Sequence, residues 1–237
     1  MDPAAVIPLV LVVLAGIALL AWYQWKVEQQ RRADLAALAA SLGWSFDPAE
    51  DPDHDDRFAQ FEVFRRGHGR RAYNTLRGHL DVQGRRFGVQ AGDFTYKVTS
   101  GSGKNRSTTT YRISYLIVGL PWDPPALLIR PENVLDRLAG FLGFEDIDFE
   151  SEEFSRRFHV TCKDRKFAYD LVHPGMMELL LGAQPPVIDV EAGHACFCDD
   201  RGRWDPVRFR ARIDFAVAFL ARWPHHLLQR LDASHDA

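Results

Sequence analysis

Residues 4–23 read AAVIPLVLVVLAGIALLAWY, twenty positions without a charge. At 1.5 Å of rise per residue, a helix of that length spans about 30 Å, the thickness of a bilayer's hydrocarbon layer. Pro8 and Gly16 would weaken a helix in water, but membrane helices tolerate both. Trp22, Tyr23 and Trp25 follow, and their amphipathic rings suit the headgroup zone. Lys26, Arg31 and Arg32 come next, against only Asp2 and the terminal amine on the other side. That excess of Lys and Arg assigns the C-terminal side to the cytoplasm and the short N-terminus to the outside of the cell (inner) membrane. A cleaved signal peptide wants a basic start, a shorter apolar core and a small-residue cleavage site. MDPAA at the start and Trp-Tyr-Gln-Trp after the core do not fit it. The uninterrupted apolar length also argues against a helix buried in a soluble core.

Helical character continues past the interface. Val27–Leu42 has no Gly or Pro and is rich in Ala, Leu, Gln, Glu and Arg, all good helix formers. Leu35, Leu38 and Leu42 fall at i, i+3, i+7 and form one apolar stripe. Gly43 is placed to end the helix. The stripe covers barely two turns, fewer than a coiled coil sustains, so docking on the following domain is preferred to a dimer seam. The expected organisation is an anchor over 1–26, a juxtamembrane helix over 27–43, a soluble domain over 44–231 and a disordered tail over 232–237.

The rest of the chain mixes strand and helix patterns. WSFD at 44–47 reads as a short strand, followed by an acidic surface loop. Strands are expected over 74–82, 86–99 and 109–120, with Gln83-Gly84 as a two-residue turn and 99–107 as a polar, glycine-rich hairpin loop. Tyr111, Ile113, Tyr115 and Ile117 alternate strictly, as in a half-buried strand. A strand over 126–130 and a helix from Pro131 to Gly143 follow. The pattern then predicts a strand over 157–162, a helix over 166–181 interrupted at Pro174-Gly175, and a hairpin built from 187–190 and 195–198. Asp205 and Pro206 open a last helix that Pro224 stops. The fold class is α+β: an N-terminal transmembrane helix, then a mainly antiparallel sheet with helices on one face.

Bulk properties exclude some functions. The net charge of -3 gives no global basic field for nucleic acid. Three cysteines, Cys162, Cys196 and Cys198, do not make a disulfide framework.

Four segments are distinctive: LAALAASLGWSF (35–46), FEVFRRGHGRRAYNTLRG (61–78), GSGKNRSTTTYR (101–112) and DIDFESEEFSRRFHV (146–160). In these the chain resembles an uncharacterised family of bacterial single-pass membrane-anchored proteins, over roughly Leu35 to Trp223. The resemblance implies an N-terminal membrane helix and a soluble domain, and it carries over no catalytic residue.

Candidate chemistry is sparse. Gly101-Ser-Gly-Lys104-Asn105 falls short of a phosphate loop, because Asn105 stands where a hydroxyl is needed and a strand follows. Lys97, Lys104, Arg106 and Arg112 instead make that tip attractive to anions such as lipid headgroups. Arg65, Arg66, Arg70 and Arg71 form a second basic run that either faces anionic lipid or surrounds a turn. His194, Cys196 and Cys198 would share one face of a strand as weak metal candidates. Paired zinc cysteines favour wider spacing, however, and the alternative is that both cysteines pack as small apolar residues. The acidic run Asp146, Asp148, Glu150, Glu152 and Glu153 lacks the glycine-centred spacing of a calcium loop and reads as a charged connector. The leading expectation is a non-catalytic, membrane-tethered binding or scaffold module without a cofactor. Its partners would be the lipid bilayer and a further, unidentified protein rather than nucleic acid. The alternative is a hydrolase or metal-dependent enzyme with dispersed residues such as His159, Asp93 and the Cys196/Cys198 pair.

Overall fold

The computed structural model describes residues 3–132, 147–199 and 202–235. Helix α1 (Pro3–Leu42) is one unbroken helix of 40 residues. Its two halves have different surroundings. Residues 10–27 are exposed throughout, and Leu11, Val12, Leu19 and Leu20 each present more than half of their surface. No part of the most apolar window is buried inside the chain, which removes the soluble-core reading. Farther on, Leu35 and Ala39 are fully buried, and Leu38 and Leu42 pack at the core's rim. The leucine stripe therefore docks. Gly43 has φ of 69°, a left-handed conformation that lacks a Cβ penalty in glycine. The Gly43 and Trp44 amides return to the Ala40 and Ala39 carbonyls and close the helix.

Eight strands form one sheet: β1 (Ser45–Asp47), β2 (His68–Val82), β3 (Arg85–Ser100), β4 (Ser107–Gly119), β5 (Leu127–Pro131), β6 (Phe158–Cys162), β7 (Val187–Glu191) and β8 (His194–Cys198). Their spatial order is β1-β2-β3-β4-β8-β7-β5-β6, and every pairing between them is antiparallel. Gln83 and Gly84 both have positive φ, as a tight two-residue hairpin turn requires.

Strand β2 starts six residues before the alternation predicts. The cause is a bulge: Tyr73 pairs with Asp93 and Leu76 with Ala91, so Asn74 and Thr75 share the space opposite Gly92. Asn74 takes φ of 52° there, and the extra residue breaks the two-residue period.

One face of the sheet carries the larger core. Leu76, Leu80, Phe87, Val89, Leu116, Val118, Ile188 and Phe197 meet α1, α4 (Glu152–Arg157), α5 (Arg165–Leu171), α6 (Pro174–Gly182), α7 (Pro206–Ala221) and α8 (His225–His235). On the far face, Phe61, Val63 and Phe64 pack over Phe94, Tyr115, Ile117 and Cys196. Two short helices lie along that covering segment, α2 (His54–Arg57) and α3 (Glu62–Arg65). The fold is α+β, with the long helices gathered on one face.

Three elements depart from the sequence pattern. Residues 62–65 are helical where the sequence pattern predicts no helix. The connector at 152–157 winds into α4 because Ser151 caps the Phe154 amide and Phe154 is fully buried. Pro224 both stops α7 and precedes α8, which buries Leu227, Leu228 and Leu231. The helix expected up to Gly143 lies, from residue 133 on, outside the described residues.

Candidate functional site

The strongest constellation lies where α1 meets the sheet. Asp93 sits on β3 facing α1 and is completely buried. A lone carboxylate in that place would be costly, since an ion needs partners when water is removed. Arg31 supplies them as a two-pronged fork: Nε donates to Oδ2 at 2.8 Å and Nη2 to Oδ1 at 2.6 Å. Arg31 Nη1 also donates to the Trp204 carbonyl at 2.9 Å. Ser114 on β4 donates to Asp93 at 2.7 Å and accepts the Trp204 amide at 2.9 Å. The bulged Asn74 bridges Asp93 and Glu28 at 3.1 and 3.0 Å. Arg203 closes the circuit on Glu28 at 2.8 Å. Two anions and two cations thus join α1, β2, β3, β4 and the segment before α7.

The sequence candidates fall into separate places. Arg70 contacts Asp55 at 2.6 Å, Arg71 contacts Glu50 at 2.9 Å, and Arg66 lies 3.8 Å from Glu62. The acidic segment 50–56 folds back on the start of β2 and supplies two of those carboxylates. Arg65 is exposed at the end of α3. Lys104 and Arg106 belong to the tip between β3 and β4, around a short 3-10 turn at Gly103–Asn105.

His194, Cys196 and Cys198 do alternate onto one face of β8, the far face. Both cysteines are buried there, and burial pushes the Cys196 thiol well above its ordinary value, with Cys198 adding to the rise. Such a thiol is inert. His194 stays near the surface, its Nδ1 2.8 Å from the Ala192 carbonyl oxygen. Among the described residues, no three His, Cys, Asp or Glu side chains are placed to hold a metal ion. His159 pairs with Glu132 on the opposite edge of the sheet. It is five strands from Asp93, or about 24 Å at normal strand spacing. The dispersed residues of the enzymatic alternative are therefore not brought together.

His54 is the far face's buried titratable surprise. Its ring is enclosed by Phe58, Phe64, Phe94 and Tyr115 at centroid distances of 4.9, 4.6, 5.7 and 4.6 Å. Gln90 Nε2 lies 3.3 Å from His54 Nδ1 and donates to the Tyr115 hydroxyl at 3.2 Å. Burial pushes the imidazole down to about 3. An unfolded histidine titrates near 6.5, so between about pH 6.5 and 3 the unfolded chain binds a proton that the folded chain refuses. Stability therefore falls as acid is added, by about 1.4 kcal/mol per pH unit from this group. Asp189 acts with the opposite sign. Burial, with Glu191 and Glu62 nearby, raises its carboxyl well above the usual range. Its contribution is full below the ordinary carboxylate value and fades as pH rises through the folded one. Replacing His54 with Phe should flatten the acid limb of the melting temperature between pH 6.5 and 3. An acid limb as steep as wild type in circular dichroism melts would refute that assignment.

Beside this cage an open trough of about 610 Å³ crosses the far face. Phe58, Arg77, Gln90 and His194 line it, and Gly88 and Gly119 leave its floor bare. Phe58 meets His194 edge-to-face at 5.5 Å.

A long apolar helix fused by a polar network to an eight-stranded antiparallel sheet defines the class of structure. No family model matches the chain, and no curated protein matches it at a significant level. Among solved structures, the crystal structure of the mycobacterial trehalose monomycolate transport factor A, TtfA, is similar in fold. The match has a TM-score of 0.56 at 9% identity and covers 81% of this chain and 96% of that one. At that identity the likeness is one of fold alone.

Proposed function

We infer that this chain is a membrane-tethered, non-catalytic binding or scaffold module, of the bacterial membrane-anchored kind its sequence resembles, with its sheet on the cytoplasmic side. The observation that carries this reading is the Arg31–Asp93 network. It makes the anchor helix part of the folded body instead of a loose tether, so the sheet is held at a set height above the bilayer. The helix also runs unbroken through Ala21–Val27 and offers no extended segment of small residues for a signal protease. A fixed sheet presents the glycine-floored trough as a surface for a partner. The fold shared with TtfA, a transport factor, is compatible with a non-catalytic, membrane-associated module of this kind.

The test is fractionation with a topology reporter. The full chain should stay in the membrane pellet after an alkaline carbonate wash. A fluorescent protein fused after Ala237 should fluoresce, while a periplasm-dependent phosphatase at the same position should be inactive. An intact chain in the supernatant would end the tether reading, and an active phosphatase would reverse the orientation.

A further inference from the structure

The hairpin formed by β3 and β4 extends beyond the sheet that supports it. Strand β2 pairs with β3 only as far as the His68–Lys97 pair. Strand β8 pairs with β4 only from Tyr115 onward. Past Lys97 and Thr110 the two strands therefore run on as a ribbon without strand neighbours, through the Ser100–Ser107 pair. Residues 97–112 read KVTSGSGKNRSTTTYR, with four basic and no acidic residues. Lys97, Arg106 and Arg112 are exposed and have no ion-pair partner among the described residues. This contrasts with Arg70 and Arg71, which acids neutralise.

The ribbon leaves the sheet at the same end as the anchor. The Trp44 ring covers Gly78, where an added Cβ would lie 2.1 Å from it, and Gly78 pairs with Val89. Arg31, farther toward the N-terminus of α1, meets Asp93. Moving up α1 toward the membrane thus climbs β3 from Val89 to Asp93, in the direction of Ser100. From Arg31 to Tyr23 the helix rises about 12 Å. From Asp93 to Ser100 the strand advances about 23 Å. The ribbon therefore reaches the height of the interfacial aromatics at any angle between strand and helix up to about 59°.

We propose that the β3–β4 ribbon rests on the bilayer that holds α1, with Lys97, Arg106 and Arg112 contacting anionic lipid headgroups. The proposal rests on the tether reading above and adds a second point of contact to it. Its polar, threonine-rich tip (Ser107, Thr108, Thr109, Thr110) suits the headgroup layer and not the hydrocarbon beneath. Each cation near an anionic surface shifts the equilibrium about five-fold toward contact.

The native cysteines are all buried, so a single introduced thiol can be labelled in the full chain. Ser102→Cys places an environment-sensitive fluorophore at the tip, and Arg86→Cys places one at the opposite end of β3. Each protein is reconstituted into nanodiscs carrying headgroup-attached spin-label quencher, either in pure phosphatidylcholine or with one third phosphatidylglycerol. The tip probe should be quenched several-fold more in the anionic discs, and the Arg86 position should be unaffected in both. Lys97→Gln, Lys104→Gln, Arg106→Gln and Arg112→Gln together should bring tip quenching down to the zwitterionic level. Equal quenching in both lipids, or none at the tip while the protein remains in the disc, overturns the proposal and leaves the tether reading standing. Failure of the full chain to enter the discs overturns the tether reading itself.

Discussion

Arg31→Met is expected to remove about 3–5 kcal/mol of folding free energy, the usual consequence of leaving one partner of a buried ion pair alone. Methionine keeps much of the side-chain length and its apolar contact, so the loss isolates the guanidinium. Asp93 would retain only Ser114 and Asn74 as donors in a site without water access. Asp93→Asn in the same chain should restore a substantial part of the loss, because the amide keeps hydrogen-bonding capacity without a buried charge. The double variant should remain below wild type, since the Trp204 carbonyl has also lost Arg31. Urea unfolding of the full chain in detergent, followed by tryptophan fluorescence, reads all three proteins. A loss under about 1 kcal/mol for Arg31→Met would show that the pair is no stronger than a surface salt bridge.

Truncation should give an equally large and more visible effect. A chain beginning at Gln24 loses the exposed apolar residues of α1 but keeps Glu28 and Arg31, and it should be soluble with the melting temperature of the folded body. A chain beginning at Asp34 keeps Leu35, Ala39 and the helix end, yet it strips Asp93 and Arg203 of their partners on α1. A deficit of about 3–5 kcal/mol corresponds to a fall of roughly 6–20 °C for a chain of this size. Equal melting temperatures for the two truncations would show that ten residues of helix contribute nothing to the fold. The comparison also sets where the tether can be cut without damaging what it carries.

The long apolar helix was the most legible feature because its signal is additive: twenty uncharged residues need no tertiary partner to be read. Most strands were legible for a similar reason, since Gln83-Gly84 and the alternation of Tyr111 to Ile117 are local. The bulge at Asn74 hid the first six residues of β2, because one extra residue exchanges the two faces for everything before it. Helices α2, α3 and α4 are too short to show a period; α2 buries His54, and α3 and α4 bury Phe64 and Phe154, in cores supplied by distant strands.

The polar network was the greatest omission, although it left a trace. Glu28 and Arg31 continue the spacing of Leu35, Leu38 and Leu42 toward the membrane. Charges on an otherwise apolar stripe signal that the docked face meets buried partners, but the pattern cannot name Asp93, Asn74 or Arg203. Arg31 instead reads as one more cytoplasmic cation. His54 was illegible too: Phe58 stands one turn away, but Phe64, Phe94 and Tyr115 come from α3, β3 and β4, and no spacing connects them to it.

On the tether reading, the stiff joint between α1 and a broad sheet converts membrane thickness into attitude. A spanning helix adjusts to thinner or thicker lipid chiefly by leaning, commonly by about 20°. A flexible stalk would absorb that lean, whereas Arg31 and Glu28 pass it to the whole sheet. Strand β6 stands about 24 Å across the sheet from β3. A 20° rotation about the joint would therefore raise or lower that edge by about 8 Å. On that reading, the thickness of the bilayer sets the height of each flank of the sheet.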